Sequence, residues 1–211
     1  MVSRQNPSAD ATYWYVPLVR AIPAALLAIA ITFSGFHTPF FGLLAFGLFA
    51  VVSGVSVFVL SRRALPAGSR RTAFLIEGAV TVLAGLAALA FSFAGVSLLL
   101  VLLSSWAAIA GFIELYVGIT SRRSHDASRD WVFIGALTAL FAIAVLLVPP
   151  GFDQHFTGPD GLPGVLNAGI VVVGILGLYG AIETVYLVIA ALSLKWGPTA
   201  PTVLSKDGGM S

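Results

Sequence analysis

Residues 96–120 read VSLLLVLLSSWAAIAGFIELYVGIT, and Ser121-Arg122-Arg123 follow at once. One charged side chain, Glu114, stands in that run, and paired arginines close it. A bilayer's hydrocarbon core is about 30 Å thick and takes about 20 helical residues to cross. Membrane-crossing strands would instead show segments of about 10 residues that alternate apolar and polar positions. Here Leu, Val, Ala and Ile run without alternation, so the stretch predicts a transmembrane helix.

Working outward, five more runs of this kind appear, at about 14–33, 39–60, 73–93, 131–149 and 164–194. The segments between them carry the turn chemistry: Ser34-Gly35-Phe36-His37-Thr38-Pro39, then Ser61 to Arg71, then a short turn at Ala94-Gly95. Ser121 to Asp130 separates the fourth run from the fifth, and Pro149-Pro150-Gly151 opens the one long connection. The expected fold is all-α and polytopic, with six transmembrane helices arranged as three consecutive helical hairpins. These hairpins cover about 14–63, 71–123 and 130–196, between tails at 1–13 and 197–211.

Composition supports this. Of 211 residues 58% are hydrophobic and 9% charged, where a soluble domain has about 45–50% and about 25%. That excludes a soluble enzyme and a disordered tail. The net charge of +2 is a small surplus on a charge-poor chain, so no nucleic-acid partner is expected. With Cys 0 there is no disulfide framework, thiolate nucleophile or Cys-type metal site.

Orientation follows from Lys and Arg. Arg4 and Arg20 lie before or early in the first span. Arg62, Arg63, Arg70 and Arg71 fill the second connection, Arg122, Arg123 and Arg129 the fourth, and Lys195 and Lys206 follow the last span. All 11 lie on one side, while the other connections hold only His37, Asp153, His155 and Asp160 among ionisable residues. Both termini are therefore expected in the cytoplasm. A cleaved signal peptide is the rival reading of the first span. Its small-residue pattern, Ala28-Ile29-Ala30, sits inside the apolar run, and only Arg4 is basic ahead of it.

The hairpins repeat. Gly111-Phe112-Ile113-Glu114 and Gly180-Ala181-Ile182-Glu183 share Gly-x-Ile-Glu in the descending helix, and Gly54-Val55-Ser56-Val57 keeps the Gly with Val57 in place of Glu. Spans two and four both exit on Ser-Arg-Arg. The ascending helices align by setting Arg20 opposite Glu77 and Glu77-Gly78 opposite Ile134-Gly135. An Arg start in the ascending helix, a Gly ahead of a polar position in the descending helix and an Arg-Arg exit together resemble the HdeD-like acid-resistance membrane proteins of bacteria. The likeness spans about residues 14–196. It implies a bacterial inner-membrane protein linked to stress tolerance, and it brings no established catalytic residues with it.

Four ionisable residues stand inside spans: Arg20, Glu77, Glu114 and Glu183. A charge at mid-bilayer costs about 2.5–3.5 kcal/mol on insertion scales, so each needs a partner, water or a proton. All fall within about one to three helical turns of the cytoplasmic ends, where Arg20 can meet at least one Glu. Ala107, Ala110, Gly111 and Gly118 form a small-residue stripe beside Glu114. Tyr179 and Tyr186 offer hydroxyls to Glu183. Three readings of the cluster stand: a buried network that fixes helix register, a proton-responsive or ion-coordinating site, and side chains that snorkel to headgroups. Three carboxylates against one guanidinium leave an excess of negative charge, which a proton on at least one Glu relieves.

The rest of the chain offers less chemistry. His37 and His155 are expected outside, as loop residues or acid sensors, and His125 inside. Ser104-Ser105 has no His at helical spacing, so packing or a helix–helix hydrogen bond accounts for it. Gly158-Pro159-Asp160-Gly161 is turn chemistry. Trp14, Trp131 and Trp196 are expected as interfacial anchors and Trp106 as a packed residue. The Gly174, Gly177, Gly180 series reads as helix packing, with self-association as an option. The expected function is a non-enzymatic integral membrane protein concerned with acid or envelope stress, the alternative a small proton-linked transporter or channel subunit. Expected partners are the lipid bilayer and a homo-oligomeric or membrane-protein partner. No cofactor and no metal is expected.

Single cysteines placed at Gly68, His125 or Ser205 should resist an impermeant thiol reagent in intact cells, while those at Ser34 and Gly158 should react. Labelling at Gly68 together with protection at Gly158 would reverse the orientation.

Overall fold

The computed structural model describes residues 14–122, 127–157 and 163–196. Both tails, His125 and the Gly158–Gly161 turn lie outside the described residues. Six helices follow one another: α1 Tyr15–Phe33, α2 Pro39–Ala64, α3 Ser69–Ala90, α4 Val96–Thr120, α5 Ser128–Leu146 and α6 Ala168–Trp196. All six are long and apolar enough to cross a bilayer, and the chain is built as a multi-pass integral membrane protein.

The ends of the helices follow local chemistry. Thr38 caps α2 by accepting a hydrogen bond from Phe41 N at 3.3 Å, and Pro39 opens the helix, where a missing N–H does no harm. Asn167 does the same for α6, its Oδ1 accepting from Ile170 N at 3.0 Å. The turn from α3 into α4 passes through Gly95 at φ +83°, a conformation that a side chain would strain. Pro23 lies within α1, which continues through it.

The long fifth connection departs from expectation. Residues 164–167, placed by sequence at the start of the last span, belong to strand β2 (Pro163–Asn167), paired antiparallel with β1 (Asp153–Thr157). The last helix therefore begins at Ala168 and not at 164. Phe156 pairs with Gly164 across the hairpin, where a Cβ would lie 2.5 Å from the Phe156 ring, so the missing side chain makes room for an aromatic cap. Asn167 capping α6 is the physical reason the strand stops there.

Helices α2, α4 and α6 touch one another at the centre, and α1, α3 and α5 lie outside them. The most extensive packing runs between consecutive hairpins: α3 lies on α2, α5 on α4, and α1 closes the ring on α6. Each of these three seams has a glycine of the descending helix at an equivalent place. A Cβ on Gly54 would stand 2.7 Å from Gly78 O and 2.8 Å from Val82 N. On Gly111 it would meet Ala139 N at 2.7 Å and Gly135 O at 3.0 Å, and on Gly180, Ala24 O at 3.1 Å and Ala28 N at 3.5 Å. The same two backbone atoms, a carbonyl and the N–H four residues on, recur each time. Small residues let helix backbones come this close, and the packing gained replaces the hydrophobic drive that lipid removes.

This repeat corrects the alignment of the ascending helices. Ala24, Gly78 and Gly135 occupy equivalent places, so Arg20 corresponds to Phe74 and Trp131, and Glu77 corresponds to Pro23 and Ile134. The sequence alignment of Arg20 with Glu77 was three residues out because Ala24 stands where the other two helices carry Gly. Trp131 is corrected too: it is 4% exposed, with its ring edge-on to Phe74 at 5.2 Å, and is not an interfacial anchor. In the glycine series of α6, Gly177 and Gly180 pack on α1, whereas nothing lies within 4 Å of a Cβ on Gly174.

Gly111→Val should lower the thermal midpoint in detergent, with overpacking of about 1–3 kcal/mol or more. Gly174→Ala, on an open face, should be neutral or stabilising by up to about 1 kcal/mol. Equal effects from the two would remove the seam's role.

Candidate functional site

The four embedded ionisable residues converge. Arg20, from α1, enters the space between the central helices, where Glu77 of α3, Glu114 of α4 and Glu183 of α6 meet it. The guanidinium donates from Nη2 to Glu114 Oε1 at 2.5 Å, an ion pair with side chains 12% and 3% exposed. Glu114 and Glu183 each sit three residues after a seam glycine, and the tight contact of Gly111 or Gly180 with its outer helix turns that later position towards the centre. Val57 holds the same position on α2 and also lines the cavity. The first hairpin thus supplies the cation, from its outer helix, and no acid.

Only one of the three carboxylates is paired with the guanidinium. Glu77 Oε2 and Glu183 Oε2 are buried without a hydrogen-bond partner, and so is Arg20 Nε. No group of three His, Cys, Asp or Glu among the described residues is arranged to hold a metal ion. The space between them accommodates the centre of a water-sized sphere over about 20 Å³, enough for about one water molecule.

Aromatic and hydroxyl groups complete the walls. Trp106 donates from Nε1 to Thr81 Oγ1 at 3.1 Å, and Thr138 and Tyr179 share a hydrogen bond at 3.0 Å. Thr138 also donates to Ile134 O at 2.8 Å. Phe46, Phe49, Phe141 and Tyr179 pack around Trp106 with ring centroids 5.0–6.5 Å away, so Trp106 is a packed residue. Ser104 bonds back to Leu100 O at 2.7 Å within its own helix.

The two ends of the cluster differ. Towards the end that carries the described arginines, Arg20 also lines two small spaces, one with Leu60, Ser61, Leu65, Phe74 and Trp131, the other with Asp130 and Leu187. Towards the β-hairpin, Leu43, Phe46, Leu99, Leu103, Val172 and Leu176 fill the centre at 0% exposure. Arg20 therefore stands at a mouth, and the other side is a dry apolar plug.

Sequence reasoning missed one acid here. Asp130, read as part of a connection, belongs to the first turn of α5, where it accepts a hydrogen bond from Tyr186 OH at 2.8 Å. Tyr186 had been assigned to Glu183; its ring instead stacks on Phe133 at 3.8 Å, which directs the hydroxyl to Asp130. The available signal was Asp-Trp at a helix start, where an acid complements the helix dipole. His37 and His155 lie in the connections at the far end, and His155 Nε2 is 3.9 Å from Asp153 Oδ1 on the exposed hairpin.

Residues 76–147, from α3 to the end of α5, match the family model described as a short repeat of unknown function (DUF308). Glu77 and Glu114 fall inside the matched segment, Arg20 and Glu183 outside it. No curated protein and no solved structure matches the chain.

Breaking a buried ion pair from one side costs about 3–5 kcal/mol, whereas replacing both partners by apolar residues is often neutral. Arg20→Leu should therefore lower thermal stability by about that much, and adding Glu114→Leu should restore most of it. A single variant as stable as the parent would show that the pair does not hold the bundle.

Proposed function

We propose that this chain is a non-enzymatic inner-membrane protein of bacteria, with both termini cytoplasmic, whose buried carboxylates take up and release a proton from the cytoplasmic side. The observation that carries this is the charge imbalance in one enclosed cavity: three glutamates, one arginine and two carboxylate oxygens without partners. An excess negative charge in a low-dielectric interior is relieved by a proton or another cation.

One-sided access gives the proposal its direction. The cluster meets the Arg-rich end through Arg20, and the excess of Arg and Lys there supports a cytoplasmic placement of that end. A protein built this way answers to cytoplasmic acid rather than carrying protons across, which fits a role in acid or envelope stress. The alternative is a small proton-linked transporter or channel subunit that uses the intramembrane glutamates. It draws on the Thr81–Trp106 and Thr138–Tyr179 hydrogen bonds, which extend polarity about one helical turn beyond the glutamates.

Infrared titration of the protein in lipid should show a buried protonated carboxyl band that diminishes as pH rises and is altered in Glu183→Gln. Proteoliposomes should show no sustained proton flux. A band insensitive to pH would leave the cluster as a register-fixing network, and a flux lost in Glu183→Gln would establish the transporter.

A further inference from the structure

A second, larger space lies on the lipid-facing side of the bundle. Helices α1 and α2 diverge there and leave a groove of about 220 Å³, walled by Leu26, Leu27, Ala30, Leu48, Phe49 and Val52 among others, every one of its lining residues apolar. An apolar cavity of about 150 Å³ binds benzene, so this one takes several methylenes of a hydrocarbon chain. Leu26 and Leu48 are 61% and 56% exposed, so the groove opens sideways to the bilayer.

One residue belongs to both spaces. Phe49 lines the groove and also the carboxylate cavity. It is the residue that the groove and the cavity of Glu77, Glu114 and Glu183 share. On the polar side the partnerless oxygens of Glu77 and Glu183 belong to side chains 5% and 3% exposed. Trp106 and Tyr179 line the same cavity. The cavity has room for about one water molecule, which is also the size of an ammonium head and too small for a quaternary one.

We propose that groove and cavity form one site for a long-chain primary alkylammonium amphiphile. Its chain lies between α1 and α2, its head rests against Glu77 and Glu183, and Phe49 yields to connect the two. The chain enters from the bilayer because the groove opens there. Charge selects a cation because Arg20 satisfies one carboxylate of three. This deepens the proposed function by naming an organic cation that competes with the proton, and it rests on the same excess of carboxylate charge.

The test is titration calorimetry on the full chain in phosphatidylcholine nanodiscs, with empty nanodiscs subtracted. Dodecylammonium should bind saturably, while dodecanol, the neutral isostere, should not, and dodecyltrimethylammonium should bind at least about tenfold more weakly. Glu77→Gln should weaken dodecylammonium by about tenfold or more, the scale of one lost charge-assisted contact. Leu48→Trp, which fills the groove from its exposed wall and leaves the carboxylates intact, should do the same. Dodecanol binding as well as dodecylammonium would show a groove for neutral acyl chains and overturn the proposal. Absence of saturable dodecylammonium binding, or affinity unchanged in Leu48→Trp, would also overturn it. The infrared titration reads the proton separately: a titrating band without amine binding sinks only this inference, and amine binding without a titrating band sinks only the proton reading.

Discussion

Three glycines on the central helices govern this structure. Gly54, Gly111 and Gly180 each bring their helix against the backbone of an outer one, too close for a side chain at Gly54 and Gly111 and tightly at Gly180. In a bilayer the helices gain little by leaving lipid, and close packing must hold them. Such a contact also fixes rotation about the helix axis. The position three residues later then faces the centre, and there the chain carries Val57, Glu114 and Glu183. The polar cavity follows from the same contact that holds the bundle, so its acids cannot be reoriented without opening a seam.

The cluster is stabilised by departures from symmetry. Three equivalent glutamates would face one another with no counter-charge, a costly arrangement away from water. Here one of the three descending positions is Val57, and Arg20 is brought in from an outer-helix position where the other repeats carry Phe74 and Trp131. Phe74 and Trp131 pack edge to face, a contact worth about 0.5–1.5 kcal/mol beyond their buried area. Those apolar equivalents line the small space at the end where Arg20 enters. A repeat protein thus gains a polar interior by changing one or two positions per repeat, and it keeps the glycine seam.

Much of this was legible in the sequence, and the parts that were not share a cause. Six spans follow from apolar length alone, and the Gly-x-Ile-Glu repeat singled out Glu114 and Glu183 because the glycine and the acid serve one geometry. The pairing of Arg20 with Glu114, 94 residues apart, could not be told from pairing with Glu77 or Glu183, since depth is readable and rotation is not. Repeat alignment failed in α1 because Ala24 does a glycine's work there with a slightly wider contact. The β-hairpin before α6 was hidden because Val165 and Leu166 prolong an apolar run, while the Asn167 cap that ends it is one residue. Phe49 gave no signal at all: an aromatic in an apolar helix becomes notable only when both of its sides are seen.

The closure of the ring also sets an order of assembly. Two of the three glycine seams join helices that are neighbours in the chain and can form as soon as the second helix is inserted. The third joins α1 to α6. Helix α1 therefore waits in the membrane, Arg20 without Glu114 until α4 arrives and its backbone without its tight partner until α6 is made. Domains are commonly completed from the N-terminal end as they are synthesised. In this chain the beginning is finished last, and a nascent chain arrested before α6 would hold two complete helix pairs and one stranded helix.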